Sequence, residues 1–199
     1  MIKVENLHKK YGELKIFENL SFTIDDREGF FVTGASGCGK TTLLRIIAGF
    51  DREYRGIVNV DKKTMTNEIL PNKRDIAIVF QEPTLWNHLS VKKNISYGMP
   101  VKDDEKLIHV ARGLQIDQVL ERYPEEISGG QAKRVSLARA LLSEKKHLLL
   151  DEPLANVDKE TKEIITDFLK AGYVKNKCII YVTHDRDEIE MLPFKVLEL

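Results

Sequence analysis

The octapeptide GASGCGKT, residues 34–41, constrains the fold of this chain more than any other stretch. It follows GFFVTG, a short apolar run that reads as a buried strand. It precedes KTTLLRIIAG, where Leu43, Ile46 and Ile47 recur at helical spacing and Gly49 marks a C-terminal stop. A strand that enters a glycine-rich turn and leaves it as a helix is a phosphate loop when the turn reads G-x-x-x-x-G-K-[ST]. Gly34, Gly37 and Gly39 let the backbone fold tightly around a phosphate, with Ser36 and Cys38 between them. The amides of residues 37–41 are expected to cradle the β-phosphate, and Lys40 to reach the β- and γ-phosphates. The Thr41 hydroxyl is expected on Mg²⁺ and Thr42 near the α-phosphate.

The rest of the chain alternates strands and helices around this loop. IKVENLHKKY and IFENLSFTID read as antiparallel strands joined near Gly12. DIAIVFQ (75–81), HLLLDEP (147–153) and CIIYVTHD (178–185) are apolar enough to be strands covered on both faces, as in a parallel sheet. TKEIITDFLKAG lies between the last two as a helix. Residues 88–145 read as mostly helical, and a block from about 84 to 135 reads as a helical subdomain inserted into the core. The core is then 1–83 and 136–199.

Two strand ends carry further candidates. Asp151 and Glu152 close a buried strand at the edge where α/β sheets bind ligands. Asp151 is expected to hold Mg²⁺ and Glu152 to polarise the water that attacks the γ-phosphate. His184 ends the next strand and is placed to bond the γ-phosphate or orient that water. Gln81 ends a third, within reach of the metal or the water.

Composition limits the partners. Lys+Arg and Asp+Glu both number 31 in 199 residues, so no global basic field invites nucleic acid, and none is expected as a partner. No apolar run nears the roughly 18 residues of a membrane span. MIKVENLHKKYGELK lacks the apolar centre of a signal peptide. Cys38 and Cys178 form neither a disulfide framework nor a metal-ligand pattern. A cytoplasmic setting follows, in which the Asn-x-Ser triplets at Asn19 and Asn94 are chance matches to the glycosylation pattern.

ISGGQAKRVSLARALL, residues 127–142, poses a question. Its Ser-Gly-Gly start would present bare N–H groups at the positive end of a helix dipole, which is a second anion site. Together with GASGCGKT, Gln81, HLLLDEP, the ANVD of 155–158 and His184, in that order, this stretch resembles the ATP-binding cassette (ABC) ATPases. The resemblance covers essentially the whole chain. It implies an α/β fold: a P-loop NTPase core with a mostly parallel sheet, an N-terminal antiparallel β subdomain and an inserted helical subdomain. It also answers the question. Two such domains pack head to tail, and Ser128, Gly129, Gly130 and Gln131 of one complete the ATP site of the other. Carried over by position, Tyr11 stacks on adenine, Glu152 is the general base, Asp158 communicates across the dimer and His184 is the switch histidine. Asp158 also reads independently as a helix N-cap. Ile127 stands where such ATPases usually have leucine.

VFQEPTLWNHLSVKKNISYGM and YPEEISGGQ are similar to importer ATPases for nitrate, sulfonate, taurine or pyrimidine-type solutes. That similarity implies an ATP hydrolase powering transport through separate membrane-spanning permease subunits, seated peripherally on the inner face of the cell membrane. Its partner in the dimer is a second copy or another ABC ATPase. Leu85-Trp86 is then where the membrane subunit is received, with Trp86 either an exposed anchor there or packed inside the helical subdomain. The alternative is a soluble ABC ATPase of an assembly or repair system, such as iron–sulfur assembly. Only fifteen residues follow His184, so control by a C-terminal domain is not expected.

Overall fold

The computed structural model describes residues 1–66, 68–173 and 176–199. Two sheets organise it. The first is antiparallel, in the order β2 (Leu14–Ile24), β1 (Ile2–Tyr11), β4 (Arg55–Val60), β5 (Lys63–Thr64). The second runs β6 (Ile76–Val79), β7 (His147–Asp151), β8 (Cys178–Val182), β3 (Gly29–Thr33), β9 (Lys195–Glu198), with every pair parallel.

Alternation divides the parallel sheet between two cores. Phe31, Leu148, Leu150, Ile179 and Tyr181 face one side. There they meet α2 (Val91–Ser96), α3 (Asp104–Gly113), α4 (Gly129–Leu142) and α5 (Lys159–Gly172). Val32, Leu149, Ile180 and Val182 face the other, against Leu43, Ile46 and Ile47 of α1 (Lys40–Ala48). Ile2, Val4 and Val58 of the antiparallel sheet close that second core. Helix α6 (Arg186–Met191) follows β8. β7 and β8 are buried throughout, as their sequences require. β6 departs from expectation: it is an edge strand, and three of its four residues are only half-buried. An all-apolar run of four does not reveal which strand lacks a neighbour.

The helical block is three helices separated by loops and short 3₁₀ turns. Residue 135, where the sequence places its end, falls inside the unbroken α4. Asn94 is fully buried in this block. Its amide donates to the Trp86, Leu89 and Ser90 carbonyls and accepts from the Trp86 N–H, so it is no glycan acceptor in the fold.

In β1 the inward alternation slips. Ile2 and Val4 point in, then Leu7 and Lys9 do. Asn6, at φ 49°, takes up the extra residue, and the pairing with β2 shifts there. The bulge lies over Gly56, where a Cβ would come within 2.4 Å of the Asn6 carbonyl oxygen. The slip carries Lys9 inside, where its ammonium donates to Asp51 at 2.7 Å and to the Glu53 carbonyl at 2.8 Å.

Helix α1 is fixed at its far end by Arg74, a residue the sequence does not single out. The buried guanidinium donates to the Ile46 and Ile47 carbonyls at 3.1 and 2.7 Å, and to those of Ile69 and Thr66. It thereby takes up carbonyls that a helix C-terminus leaves unpaired and sits at the negative end of its dipole. Arg74→Met is expected to lower unfolding stability by about 1–3 kcal/mol, because the buried Ile47 carbonyl loses this donor while the Ile46 carbonyl keeps the Gly49 N–H; urea titration measures it.

Candidate functional site

β3 delivers the chain into the glycine-rich loop, and the loop starts α1. Gly34, Gly37 and Gly39 all have positive φ, at 140°, 81° and 106°. At Gly39 the need is also steric, since a Cβ would stand 2.5 Å from Ile16 and 2.8 Å from Phe17 of β2. The antiparallel sheet therefore presses directly on the loop. Lys40 folds over it and donates to the Gly34 and Ala35 carbonyls at 2.9 and 2.8 Å. The Cys38 sulfur lies 3.7 Å from the same ammonium. Alkylation of Cys38 is expected to block nucleotide binding, and saturating ATP to slow the alkylation. Equal labelling rates with and without ATP would refute that.

β7 ends at the loop. Its Asp151, 2% exposed, accepts a hydrogen bond from the Thr41 hydroxyl at 2.7 Å. Burial holds the Asp151 carboxyl above the usual carboxylate range, and the neighbouring Glu152 charge adds to this. A buried carboxylate with one hydroxyl donor and no ion pair among the described residues fits a divalent cation beside Thr41. Among the described residues no cluster of three His, Cys, Asp or Glu side chains could enclose a metal. One carboxylate and one hydroxyl are oxygen donors of the kind Mg²⁺ takes, an ion that usually has few protein ligands and keeps several waters.

Glu152 turns away from Asp151. Its φ of 48° is the left-handed region, uncommon for a non-glycine residue, and such backbone gathers at functional sites. The turn sends its carboxylate between two side chains from distant segments. Gln81 Nε2 donates to Oε2 at 3.3 Å, and His184 Nδ1 lies 3.0 Å from Oε1. Glu152 is 18% exposed and His184 72%. A cavity of about 430 Å³ opens beside the trio, lined also by Lys133, Asn156 and Lys162. Gln81, expected at the metal or the water, is bonded to Glu152 and not to Asp151.

Tyr11 is half-exposed at the end of β1 and gives its hydroxyl to Asp51 at 2.5 Å. The Lys9 ammonium lies 4.3 Å from the centre of its ring. Burial and the Asp51 bond raise the Tyr11 phenol pKa, with Thr42 acting in the opposite sense. Burial works to raise Asp51 as well, but the bonds from Lys9 and Tyr11 outweigh it and hold that carboxylate low. Neither Lys9 nor Asp51 is legible as a site residue in the sequence, because the slip in β1 brings them together.

The Ser-Gly-Gly turn forms the expected helix start. Ser128 caps α4 and pairs with Gln131: the Gln131 N–H donates to Ser128 Oγ and the Ser128 N–H to Gln131 Oε1. This reciprocal pair is a capping box. A Cβ on Gly129 would meet nothing within 4 Å. Gly130 lies against the Asn156 carbonyl, beside the Asp158 turn. Asp158 caps α5, accepting from the Thr161 N–H at 2.9 Å, and that bond holds its carboxyl low. Among the described residues no hydrogen bond joins Ser128–Gln131 to the phosphate loop of the same chain. Trp86, left open between an exposed anchor and a packed residue, is half-buried. Its ring lies 4.4 Å from that of Tyr97, centre to centre, with the Arg139 guanidinium 4.7 Å from its centre. Tyr97, 71% exposed, is the aromatic that meets solvent there.

The ABC transporter family profile matches residues 17–155, which is most of the chain. The chain belongs to the ABC transporter family. Its curated relatives include the Fe(3+) ions import ATP-binding protein of Fusobacterium nucleatum, 42% identical over 94% of this chain and 52% of the relative. They also include the maltose/maltodextrin import ATP-binding protein of Mannheimia succiniciproducens, 37% identical over all of this chain and 55% of the relative. The chain thus spans about half the length of the curated relatives it matches. Among solved structures, the ATP-binding cassette MJ0796, a dimer in a post-hydrolysis state bound to ADP and Pi, superposes with a TM-score of 0.87. That match is 28% identical and covers 100% of this chain and 94% of the other. The α/β architecture with its antiparallel N-terminal sheet is therefore that of an ABC ATPase cassette.

Proposed function

We propose that this ABC family chain is the ATP-binding and ATP-hydrolysing subunit of an importer, working as a head-to-tail dimer beneath separate membrane-spanning subunits. The observation that carries the reading is the Glu152 carboxylate held between Gln81 and His184, one residue beyond the Thr41–Asp151 pair. A carboxylate so placed accepts a proton from water while the phosphate loop and Lys40 hold the nucleotide. Thr41, Asp151 and Gln81 are the residues that would hold Mg²⁺, which when bound neutralises charge on the β- and γ-phosphate oxygens. His184 Nδ1 faces Glu152, which leaves the other ring nitrogen for the γ-phosphate. Tyr11, set by Lys9 and Asp51, offers its ring to adenine.

The Ser128–Gln131 helix start makes no hydrogen bond to its own phosphate loop among the described residues, which supports a role towards the nucleotide of the facing subunit. ATP is then the charge that joins two surfaces, and loss of phosphate releases them. No helix among the described residues is long and apolar enough to cross a membrane. In this reading separate subunits provide the path, and the chain sits peripherally on the inner face of the membrane. The relatives named above are import proteins, which favours this reading over an assembly or repair ATPase.

The test is affinity capture from detergent-solubilised membranes, using tagged Glu152→Gln protein with ATP. Co-purification of a multi-spanning membrane protein is the expected result. Recovery of soluble partners alone would turn the reading towards an assembly ATPase.

A further inference from the structure

Behind the Glu152–His184 pair lies a charged cluster that the hydrolysis described above does not use. Lys162, on the second turn of α5, is nearly buried: its side chain is 11% exposed. Its ammonium is bonded to Asp185 and lies 3.4 Å from Glu188 Oε1. Asp185 follows His184 directly and caps α6, accepting from the Asp187 N–H at 2.9 Å. The Asp185 N–H in turn donates to Thr183 Oγ1 at 3.1 Å. Glu188 is 2% exposed and lies beside the buried Tyr181 hydroxyl of β8. The Lys162 backbone N–H donates to the Asp158 carbonyl at 3.0 Å. That bond is the regular one of the first helical turn, so what Lys162 adds is its side chain, which reaches from the helix that Asp158 caps to the residue after His184.

We propose that Lys162 is a positioning residue that ties the His184 turn to the Asp158 turn and so holds the imidazole against Glu152. His184 needs such a tether. It is 72% exposed, and Glu152 is the partner its ring has among the described residues. The α6 that follows is only six residues long and gives the turn little rigidity of its own. Burial works against the Lys162 charge, but Asp185 and Glu188 outweigh it and keep the ammonium protonated. The two carboxylates would be left uncompensated if it were removed. Under the proposed function Asp158 faces the second subunit, and the tether then makes the place of His184 depend on that surface. The inference rests on the reading of His184 as a residue of hydrolysis.

The experiment uses Lys162→Met, Lys162→Arg, and Asp185→Asn as a milder second variant that keeps the α6 cap acceptor and the Glu188 contact. Lys162→Met is expected to lower kcat about 10- to 100-fold with the ATP KM within about twofold, since misplacement by an ångström is worth this much. Arginine should restore most of the loss. In a His184→Ala background Lys162→Met should remove nothing further, because it acts through that ring. The second readout does not depend on turnover. The ¹⁵N signal of the His184 ring, assigned by its loss in His184→Ala, should shift in Lys162→Met and Asp185→Asn and return in Lys162→Arg. A ring signal unchanged in both Met and Asn variants, or a further loss in the His184→Ala background, overturns the tether. A parental protein that does not hydrolyse ATP would instead overturn the functional reading, while the ring signal still decides the tether.

Discussion

Glu152→Gln is expected to lower ATP hydrolysis by about 10²- to 10⁴-fold, the range that one positioned general base contributes. The variant keeps the shape of the side chain and a carbonyl oxygen for the Gln81 amide, which now reaches Glu152 at 3.3 Å. It removes only the negative charge and the basicity. Nothing that holds the nucleotide is altered, since the Thr41–Asp151 bond and the Lys40 cradle lie on other side chains. ATP binding should therefore persist. Loss of a carboxylate facing the γ-phosphate should also prolong the ATP-bound dimer. Phosphate release measured beside gel filtration with ATP separates these effects. Turnover at the parental rate would show that another group takes the proton.

Ser128→Glu is the second large effect. The residue is exposed and its neighbour Gly129 borders open space, so the longer acid has room within its own chain. The local cost is the lost N-cap, about 1 kcal/mol. The consequence falls on the facing subunit, where the new carboxylate would oppose the γ-phosphate. Hydrolysis should fall by about two orders of magnitude or more, in line with the loss of a preorganised anion site. Fluorescent-nucleotide affinity of the monomer should stay within about twofold. A monomer that no longer binds ATP would contradict a site shared between two chains.

These two residues were legible for a reason that others were not. Ser128 and Glu152 sit in short contiguous patterns whose chemistry depends on spacing along the chain, and the same holds for residues 34–41. Asp158 carried two readings, and its capping of α5 is the one that local sequence determines. Lys9, Asp51, Arg74 and Lys162 carried no signal. Each looks like a surface charge, and each gains its place from a contact at least 20 residues away: Asp51 with Lys9, Ile46 and Ile47 with Arg74, and Asp185 with Lys162. Trp86 stayed open between an exposed anchor and a packed residue on similar grounds, because the Tyr97 and Arg139 that lie against it come from other segments. β9 adds itself to the parallel sheet beside β3 through backbone bonds, which leave little trace in side-chain pattern.

The bulge in β1 has a bearing on how the chain tolerates change. Leu7 and Lys9 owe their inward side to a surplus position at Asn6, and the pairing with β2 shifts again on either side of Lys9. Deleting that position would make the strand more regular and its polar and apolar residues easier to pair, yet it would turn Lys9 out and free Tyr11 of its support. Substitution along β1 is a local matter. A gain or loss of one residue there re-addresses the Lys9 and Tyr11 end of the strand, so the length of β1 is under tighter constraint than most of its side chains.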